Sequence, residues 1–462
     1  MRSSNVAKSG FFFFGLQILL CFFYFILYFQ GERLDGIRFV FSLIILTLGT
    51  LPFYLFITND SERRLLPLLP LHGLFYSLTF GLTALSEKNH WLNVDSESIN
   101  YALGLTIVGI FSLYFGYYAG SIVFRRIRPV RFPVFSYSIE SRIGWFLFSA
   151  YSVFVVFPVL RSIPSVEQLY WPLGLAAVGT LSVLFFSGRM SFSSGIVFGF
   201  AVVFTFAVNF LSGSLAPAVL LVVFIGIIYW NVKRSLPWML ILLAVVFSVL
   251  INPVKSNYRD VTWYAGEADL SYYVKATRMY DVVVDYYSGD TLVNSISDDS
   301  TTINRLAHIS TFAYVVSMTP DSIPFWGGES YKTLLTSFIP RIIWPGKPKS
   351  TIGQQFGHRY ELIGAQDYWT SINLPWIIEF YANFGSLGVL VGMSFIGVFF
   401  RYLVHKFSVQ NSSASGYSIS LTLVFGLFYA ESNFALMVGG LLSTFVVFSL
   451  ILFSVKYLSR KL

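Results

Sequence analysis

The chain has 462 residues, of which 55% are hydrophobic and only 12% charged, and its mean hydropathy is +0.67. A soluble protein with a polar shell hardly reaches these values, so the composition excludes that class and indicates a chain surrounded by lipid. The net charge of +8 does not indicate nucleic-acid binding, because Lys and Arg lie mostly in short loops between apolar runs.

Twelve apolar runs approach or exceed the length of about 20 residues that a bilayer-spanning helix needs. The first contains the single cysteine, Cys21, so no disulfide or Cys-rich metal site is expected within one chain. That run is longer than the apolar core of a cleaved signal sequence, which predicts a retained helix. The runs are 10–30, 38–58, 65–86, 100–124, 143–160, 169–187, 194–212, 215–231, 238–252, 384–404, 417–430 and 434–455.

The distribution of Lys and Arg predicts the orientation. With the N-terminus inside, the cytoplasmic segments hold 17 of these residues and the short outer loops hold four. Basic residues in short loops are retained on the cytoplasmic side. The sequence therefore predicts an all-α polytopic membrane protein with about 12 transmembrane helices, both termini inside, and a large, partly helical outer loop. Residues 1–252 form nine helices, 253–383 the loop, and 384–462 three helices and a cytoplasmic tail.

The outer loop begins with a stretch of mixed charge. Residues 268–287 place Lys275, Arg278, Asp281 and Asp285 near one helical face. This pattern is typical of a solvated, salt-bridged surface, and it also fits a cationic ligand site whose bases are held by their own carboxylates.

The next stretch, 304–319, has the apolar spacing of an amphipathic helix. Arg305 and His308 share a face of that helix, one turn apart. A neutral imidazole beside an arginine suits a general base, since the cation holds its pKa down. The alternative is a histidine that caps the helix or forms a hydrogen bond at the membrane interface.

A proline-rich segment, 330–350, presents Arg341, Lys347 and Lys349 close to Trp344. Such an arrangement suits a phosphate group near the headgroup plane. It also fits anchoring by a Trp and snorkelling bases. The whole loop holds ten bases and thirteen acids, so any cationic site in it must be local. No nucleotide-binding, hydrolase or zinc-protease motif occurs, and the five histidines are scattered, so neither a cofactor nor a metal is expected.

Three segments of the loop carry a family resemblance. FIPRIIWPGKP (338–348), EFYANFGSLGVLVGM (379–393) and RLAHISTFAYVVSMTPDSIPFWGGESY (305–331) resemble the Wzy-type oligosaccharide repeat-unit polymerases of bacterial surface polysaccharide synthesis, such as O-antigen and exopolysaccharide polymerases. The resemblance covers roughly 90 residues, and the remainder agrees only in hydropathy and topology.

The resemblance implies a metal-independent membrane glycosyltransferase of the bacterial cytoplasmic membrane, with the loop on the periplasmic side. Its donor would be a glycan linked to polyprenyl diphosphate, such as undecaprenyl diphosphate, and its acceptor a second lipid-linked unit. Membrane lipids, a chain-length regulator and a flippase would be its partners, and nucleic acid would not. The leaving diphosphate needs preorganised cations, which arginines supply without a metal.

Candidate site residues follow from the matched segments and from position. Arg341 and Arg305 lie in the matched segments and would bind the diphosphate. Arg259, just after the helix that is expected to end near residue 252, and Arg278 are added on physical argument alone. For the base that accepts the proton of the attacking hydroxyl, His308 is the first candidate and Glu379, at the start of the tenth span, the second.

Two alternatives remain open. A ligase that moves finished glycan to another acceptor would need the same diphosphate site. A flippase or other carrier of lipid-linked glycans would suit twelve helices, although the chain shows no internal repeat and few ionisable residues within its apolar runs.

Overall fold

The computed structural model describes residues 35–58, 66–85, 92–163, 167–235, 237–263, 270–288, 307–337, 351–407, 413–428 and 430–459, with a few single residues outside these ranges. The described residues form helices, turns and irregular connections, and none of them lies in a β-strand. Nine of the described helices are long and apolar enough to cross a membrane. The prediction of an all-helical membrane protein is therefore confirmed, whereas the count of twelve spans and the orientation stay predictions.

The described α-helices are labelled in chain order as follows: α1 Gly36–Thr58, α2 Leu68–Tyr76, α3 Ser96–Val123, α4 Tyr137–Val156, α5 Glu167–Phe186, α6 Phe192–Phe210, α7 Leu215–Lys233, α8 Trp238–Trp263, α9 Tyr272–Ser288, α10 His308–Met318, α11 Lys332–Ser337, α12 Ile352–Arg359, α13 Trp376–Lys406, α14 Ala414–Phe425 and α15 Phe434–Ser459. Helix α2 runs on as a π-helix, Ser77–Leu82, and a 3-10 turn, Thr83–Leu85.

Ten of the twelve predicted runs coincide with described apolar helices, nine of long spanning type and the short Ala414–Phe428. The run 238–252 falls within α8. The run 10–30 lies almost entirely outside the described residues. The helices predicted within residues 268–287 and 304–319 are present as α9 and α10, of which α10 begins at His308.

The chain divides into two compact units. The first takes Met1–Arg131, Ile303–Gln410 and Leu423–Ser449, and the second takes Phe132–Thr302, Asn411–Thr422 and Leu450–Leu462. In the first unit the most extensive contact joins α3 and α13, and in the second it joins α4 and α5.

Glycines let α3 and α13 approach backbone to backbone. A Cβ atom on Gly116 would overlap the carbonyl oxygen of Ser394, and one on Gly397 would overlap that of Leu113. Association in lipid has no hydrophobic driving force between helices, so small residues that permit close van der Waals packing define such interfaces. This contact fixes α13 in the first unit.

In the second unit α8 extends well past the predicted end of its apolar run. Val254 and Tyr258, one turn apart, are buried against Met279 and Val282 of α9. Burial of this stripe stabilises the added turns, because the amphipathic face of a helix gains most of its stability from tertiary packing. Arg259 therefore lies within a helix rather than at the start of a loop.

Helix α13 contains a break that matters for the site. Gly385 has φ 65° and ψ −153°, a conformation that is essentially restricted to glycine. The break separates a short first segment, residues 376–384, from a long second one, residues 385–406. The sequence had predicted that residues 376–383 belong to the loop, and in the structure they are helical.

Candidate active site

Glu379 lies in the first segment of α13, in the first unit, and is completely buried at 0% exposure. The Ser330 hydroxyl donates to Oε1 at 2.7 Å, and the backbone N–H of Phe434 donates to Oε2 at 2.8 Å. A buried carboxyl group is tolerated only where hydrogen bonds replace its lost water. Both oxygens of Glu379 meet that requirement.

Asn383, one helical turn after Glu379, completes the network. Its Nδ2 group donates to the Ser330 hydroxyl oxygen at 2.9 Å and to the Glu379 carbonyl oxygen at 2.7 Å. Its Oδ1 atom accepts from the Gly328 N–H at 2.9 Å. The amide therefore ties the Ser330 segment to α13 and orients the hydroxyl towards Glu379.

The break at Gly385 explains how this segment docks. The carbonyl groups of the last turn before a helix end have no N–H partner within the helix. Trp326 N–H donates to the Ala382 carbonyl oxygen at 2.9 Å, and Gly327 N–H donates to that of Asn383 at 3.1 Å. Two consecutive positive φ angles, at Gly327 and the residue after it, let the chain lie along α13 in this way.

His308 begins α10 and is 3% exposed, with its ring close to Phe75 and Phe80 at centroid distances of 5.8 and 6.1 Å. Its Nε2 atom lies 3.7 Å from Oε1 of Glu431. Oε2 of Glu431 accepts a hydrogen bond from Asn373 at 2.8 Å. The Glu431 side chain is 20% exposed. This pair therefore consists of a buried imidazole and a carboxylate that reaches the surface.

The connection between α14 and α15 contains Glu431 and also contacts Glu379. Glu431 precedes Phe434 by three residues, so one short stretch supplies the partner of His308 and an N–H donor to Glu379. The two residues predicted as bases are thus joined through it, although they are far apart in sequence. We define the candidate active site by six residues of the first unit: His308, Ser330, Asn373, Glu379, Asn383 and Glu431.

Comparison with protein families places the chain. The sequence profile of DUF8712, described as a domain of unknown function, matches residues 79–459. The chain belongs to the DUF8712 family. The matched stretch contains every residue of the candidate active site, so the site is part of the DUF8712 region. Comparison with curated proteins and with solved structures found no match.

Tyr331 and Arg359 are two further polar side chains of the first unit. The Tyr331 hydroxyl is buried, and burial of the phenol, followed by the nearby Glu379 carboxylate, raises the pKa of Tyr331 above its ordinary value. The Arg359 guanidinium lies 5.6 Å from the Trp326 ring centroid and donates to the Pro324 carbonyl oxygen at 2.5 Å.

None of the four arginines predicted to bind diphosphate is among the six residues that define the candidate active site. Arg259 and Arg278 belong to the second unit, where both are half-buried and Arg278 donates to the Val261 carbonyl oxygen. Arg305 and Arg341 lie outside the described residues. Their predicted role in diphosphate binding stays a prediction.

Sequence interpretation did not single out Glu431, Asn373, Ser330 and Asn383. Glu431 carried a signal nonetheless: it is an acid between two apolar runs of a membrane protein, where ionisable residues are rare and usually functional. Asn383 carried a weaker one, since it follows Glu379 by four residues on a helix. Among the described residues no three His, Cys, Asp or Glu side chains converge as a metal site.

Proposed function

We propose that this DUF8712 protein is a membrane-embedded glycosyltransferase that joins oligosaccharide repeat units linked to polyprenyl diphosphate into a surface polysaccharide. The reaction would take place on the outer face of the bacterial cytoplasmic membrane. The pairing of His308 with the partly exposed Glu431 carries the proposal. A carboxylate that reaches the surface and is backed by an imidazole suits proton removal from an acceptor hydroxyl.

The chemistry assigns one role to each group. An acceptor hydroxyl oxygen attacks the anomeric carbon of the donor, and the bond from that carbon to the diphosphate oxygen breaks, with the electron pair leaving on the diphosphate. The hydroxyl proton passes to the Glu431 carboxylate. Asn373 holds one oxygen of that carboxylate, and His308 faces the other, so the imidazole acts through Glu431 rather than on the substrate.

The length of α13 supports a site near the membrane surface. The part after the break, residues 385–406, rises about 33 Å at 1.5 Å per residue, enough to cross the hydrocarbon core by itself. Glu379 belongs to the segment before the break, and the basic Arg401 and Lys406 lie at the other end. The positive-inside rule then favours an outer position for the site.

Cations for the leaving diphosphate complete the proposal. Arg305 and Arg341 are the candidates that the resemblance supplies, whereas the roles of Arg259 and Arg278, which belong to the second unit, stay predictions from the sequence. Arg359, at the end of α12, joins them, because its guanidinium contacts Pro324 and Trp326 of the segment that docks on α13, in the same unit as Glu431. Arginine suits this task because its planar guanidinium binds phosphate oxygens in pairs.

A carrier for lipid-linked glycans is the second candidate, and one observation favours it. Glu379 is a fully buried carboxyl in a candidate spanning helix that is broken at Gly385. Buried ionisable groups and broken helices are typical of transporters. The complete hydrogen bonding of Glu379 within the protein favours a structural role instead, since a coupling carboxyl must exchange its partners.

The deciding experiment replaces Glu431 by Gln in cells that make the polymer and separates their surface glycans on a gel. We expect single repeat units in place of long chains. Glu329→Gln is the matched control, because Glu329 is an exposed glutamate of the same unit whose carboxylate forms a surface ion pair with Lys332. Lipid-linked units retained on the inner face would favour the carrier. Full-length polymer left unattached would favour the ligase. Normal chains in Glu431→Gln would contradict the proposed function.

A further inference from the structure

The connection between α12 and α13 presents two aromatic rings to the surroundings. Trp369 is 95% exposed and Tyr368 is 65% exposed. The turn that carries them is built by Asp367, whose Oδ1 atom accepts hydrogen bonds from the backbone N–H groups of Trp369 at 3.0 Å and Thr370 at 2.9 Å. Hydrogen bonds from Thr370 hold the pKa of Asp367 below its ordinary value, because they stabilise the ionised carboxylate.

The turn is fastened to α12 on both sides of the exposed tryptophan. The Tyr368 ring lies 5.7 Å from that of His358, and Ile372 N–H donates to the Gly353 carbonyl oxygen at 3.2 Å. A Cβ atom on Gly353 would come within 2.6 Å of the Ile372 carbonyl oxygen, so this approach requires glycine. A preorganised aromatic side chain offers a large contact area at low entropic cost, which is the property of a recognition surface.

The aromatic turn and the candidate active site share a loop. Asn373, four residues after Trp369, donates to the Glu431 carboxylate. Four residues of extended chain span at most about 15 Å. The Trp369 backbone therefore lies within the length of a few sugar rings of the proposed proton acceptor.

The charge around the turn discriminates between possible occupants. Between Tyr360 and Trp376 the chain holds two acids, Glu361 and Asp367, and no Lys or Arg. An acidic loop is unsuited to an anionic lipid surface, which attracts clusters of bases. The electron-rich face of an indole or phenol attracts the weakly positive C–H groups on one face of a pyranose ring, and carboxylates accept hydrogen bonds from its hydroxyls.

We propose that Trp369 and Tyr368 form an aromatic platform on which a pyranose ring of the acceptor oligosaccharide stacks, so that an acceptor hydroxyl is held beside Glu431. This inference rests on the proposed function and specifies how that function selects its acceptor. The platform sets affinity for the glycan, whereas Glu431 takes the proton.

The test uses the full chain in nanodiscs of phosphatidylcholine. The probe is the pool of oligosaccharides released by mild acid from the lipid-linked glycans of the producing cells, and binding is measured by calorimetry. We expect Trp369→Ala to weaken binding about tenfold, and Trp369→Phe, which keeps an aromatic face, to weaken it less than about threefold. Trp238→Ala removes another exposed tryptophan, on α8, and should leave the affinity unchanged.

Three results would overturn the platform: equal affinity of Trp369→Ala and the wild type, no oligosaccharide binding by the wild type, or a membrane position of the ring. The membrane position is tested with brominated phosphatidylcholine, a quencher of tryptophan fluorescence within the bilayer. The fluorescence of Trp369 is the difference between the wild type and Trp369→Phe, and a ring in the membrane would lose it. Failure of the proposed function is distinguishable, because Glu431→Gln would then leave polymer length normal whatever the result with Trp369. If both proposals hold, Glu431→Gln binds oligosaccharide normally and makes no polymer.

Discussion

Two glutamates meet at the connection that precedes α15. Glu431 belongs to this connection and Glu379 is hydrogen-bonded to it, yet the surroundings of the two carboxylates differ. Glu379 is sealed in the protein, and its oxygens accept from Ser330 and from the Phe434 N–H. Glu431 reaches the surface, with one oxygen held by Asn373 and the other facing the imidazole of His308. The same side chain thus occurs once in a closed network and once at an open pair.

The difference indicates a division of labour. A carboxylate whose oxygens are already engaged by fixed donors stabilises the local fold and has little access to a substrate proton. An accessible carboxylate next to an imidazole can take a proton from a substrate hydroxyl. We therefore expect changes at Glu379 to act chiefly on stability and changes at Glu431 to act chiefly on turnover.

The largest expected effect concerns the open pair. Glu431→Gln should lower the rate of glycan transfer by about 10² to 10⁴-fold, the usual contribution of a general base. His308→Gln should lower it by about 10 to 100-fold. If His308 acts through Glu431, the double variant is no slower than Glu431→Gln alone, because residues that act as a unit are not additive. The measurement is polymer formation by purified protein with lipid-linked substrate. Additive losses would contradict the shared role.

The next effect concerns the closed network. Glu379→Ala leaves the Phe434 N–H and the Ser330 hydroxyl without their acceptor, which should cost about 2–4 kcal/mol of stability. Glu379→Gln keeps the volume and one oxygen acceptor and should cost about 1 kcal/mol. The fraction of protein that stays monodisperse after heating in detergent ranks the variants. If Glu379→Gln instead abolished transfer while remaining as stable as the wild type, Glu379 would be a chemical residue.

A smaller effect concerns the backbone of α13 at Gly385, which supports the Glu379 network and not the Glu431 pair. Gly385→Ala places a side chain at φ 65° and ψ −153° and brings its Cβ to 3.0 Å from Cζ of Phe325, which should cost about 1–3 kcal/mol. The break frees the carbonyl groups on which the Trp326 segment docks, so the Glu379 network should loosen first.

Gly104→Ala is the matched control for Gly385→Ala. Its Cβ would meet only Phe41, at an ordinary contact distance of 3.7 Å. The thermal midpoints of the two variants, measured side by side, check the prediction. Equal midpoints would show that the conformation at Gly385 does not constrain the fold.

The smallest effect concerns a third carboxylate, Asp367, which is half-buried and accepts hydrogen bonds from backbone N–H donors. Since its pKa is lowered on folding, its contribution to the turn is present above the ordinary value of 3.8 and is lost as pH falls through the lowered value. Hydrogen exchange of the Trp369 and Thr370 amides should therefore be faster in Asp367→Asn than in the wild type at pH 6. The difference should shrink as pH falls through the lowered pKa of Asp367, and it should vanish where Asp367 is protonated. A difference that persists there would contradict the assignment.

Much of the fold followed from local composition. The transfer of an apolar run into lipid depends on its own side chains, so the hydropathy of runs such as 194–212 and 215–231 was enough to predict α6 and α7. The amphipathic spacing in the loop likewise predicted α9 and α10, because a helical period is a local property. His308 was selected because it shares a predicted helical face with Arg305, and Glu379 was selected because it lies at the start of a predicted span.

Other features depended on partners that local composition does not reveal. The extension of α8 beyond its apolar run requires the face that α9 offers to Val254 and Tyr258. The break in α13 at Gly385 requires a docked segment that satisfies the freed carbonyl groups. In both cases the stabilising partner lies in a different segment of the chain, so the pattern of the helix itself does not reveal it.

The sequence by itself determined that this protein is a helical membrane protein, because burial of apolar side chains in lipid is nearly additive along a run. Only the tertiary structure decided which carboxylate is closed and which is open. Hydrogen bonding is directional and acts over about 3 Å, so the roles of Glu379 and Glu431 depend on Ser330, Asn373 and His308 being brought together from distant parts of the chain. That convergence is a property of the packed helices and not of any segment alone.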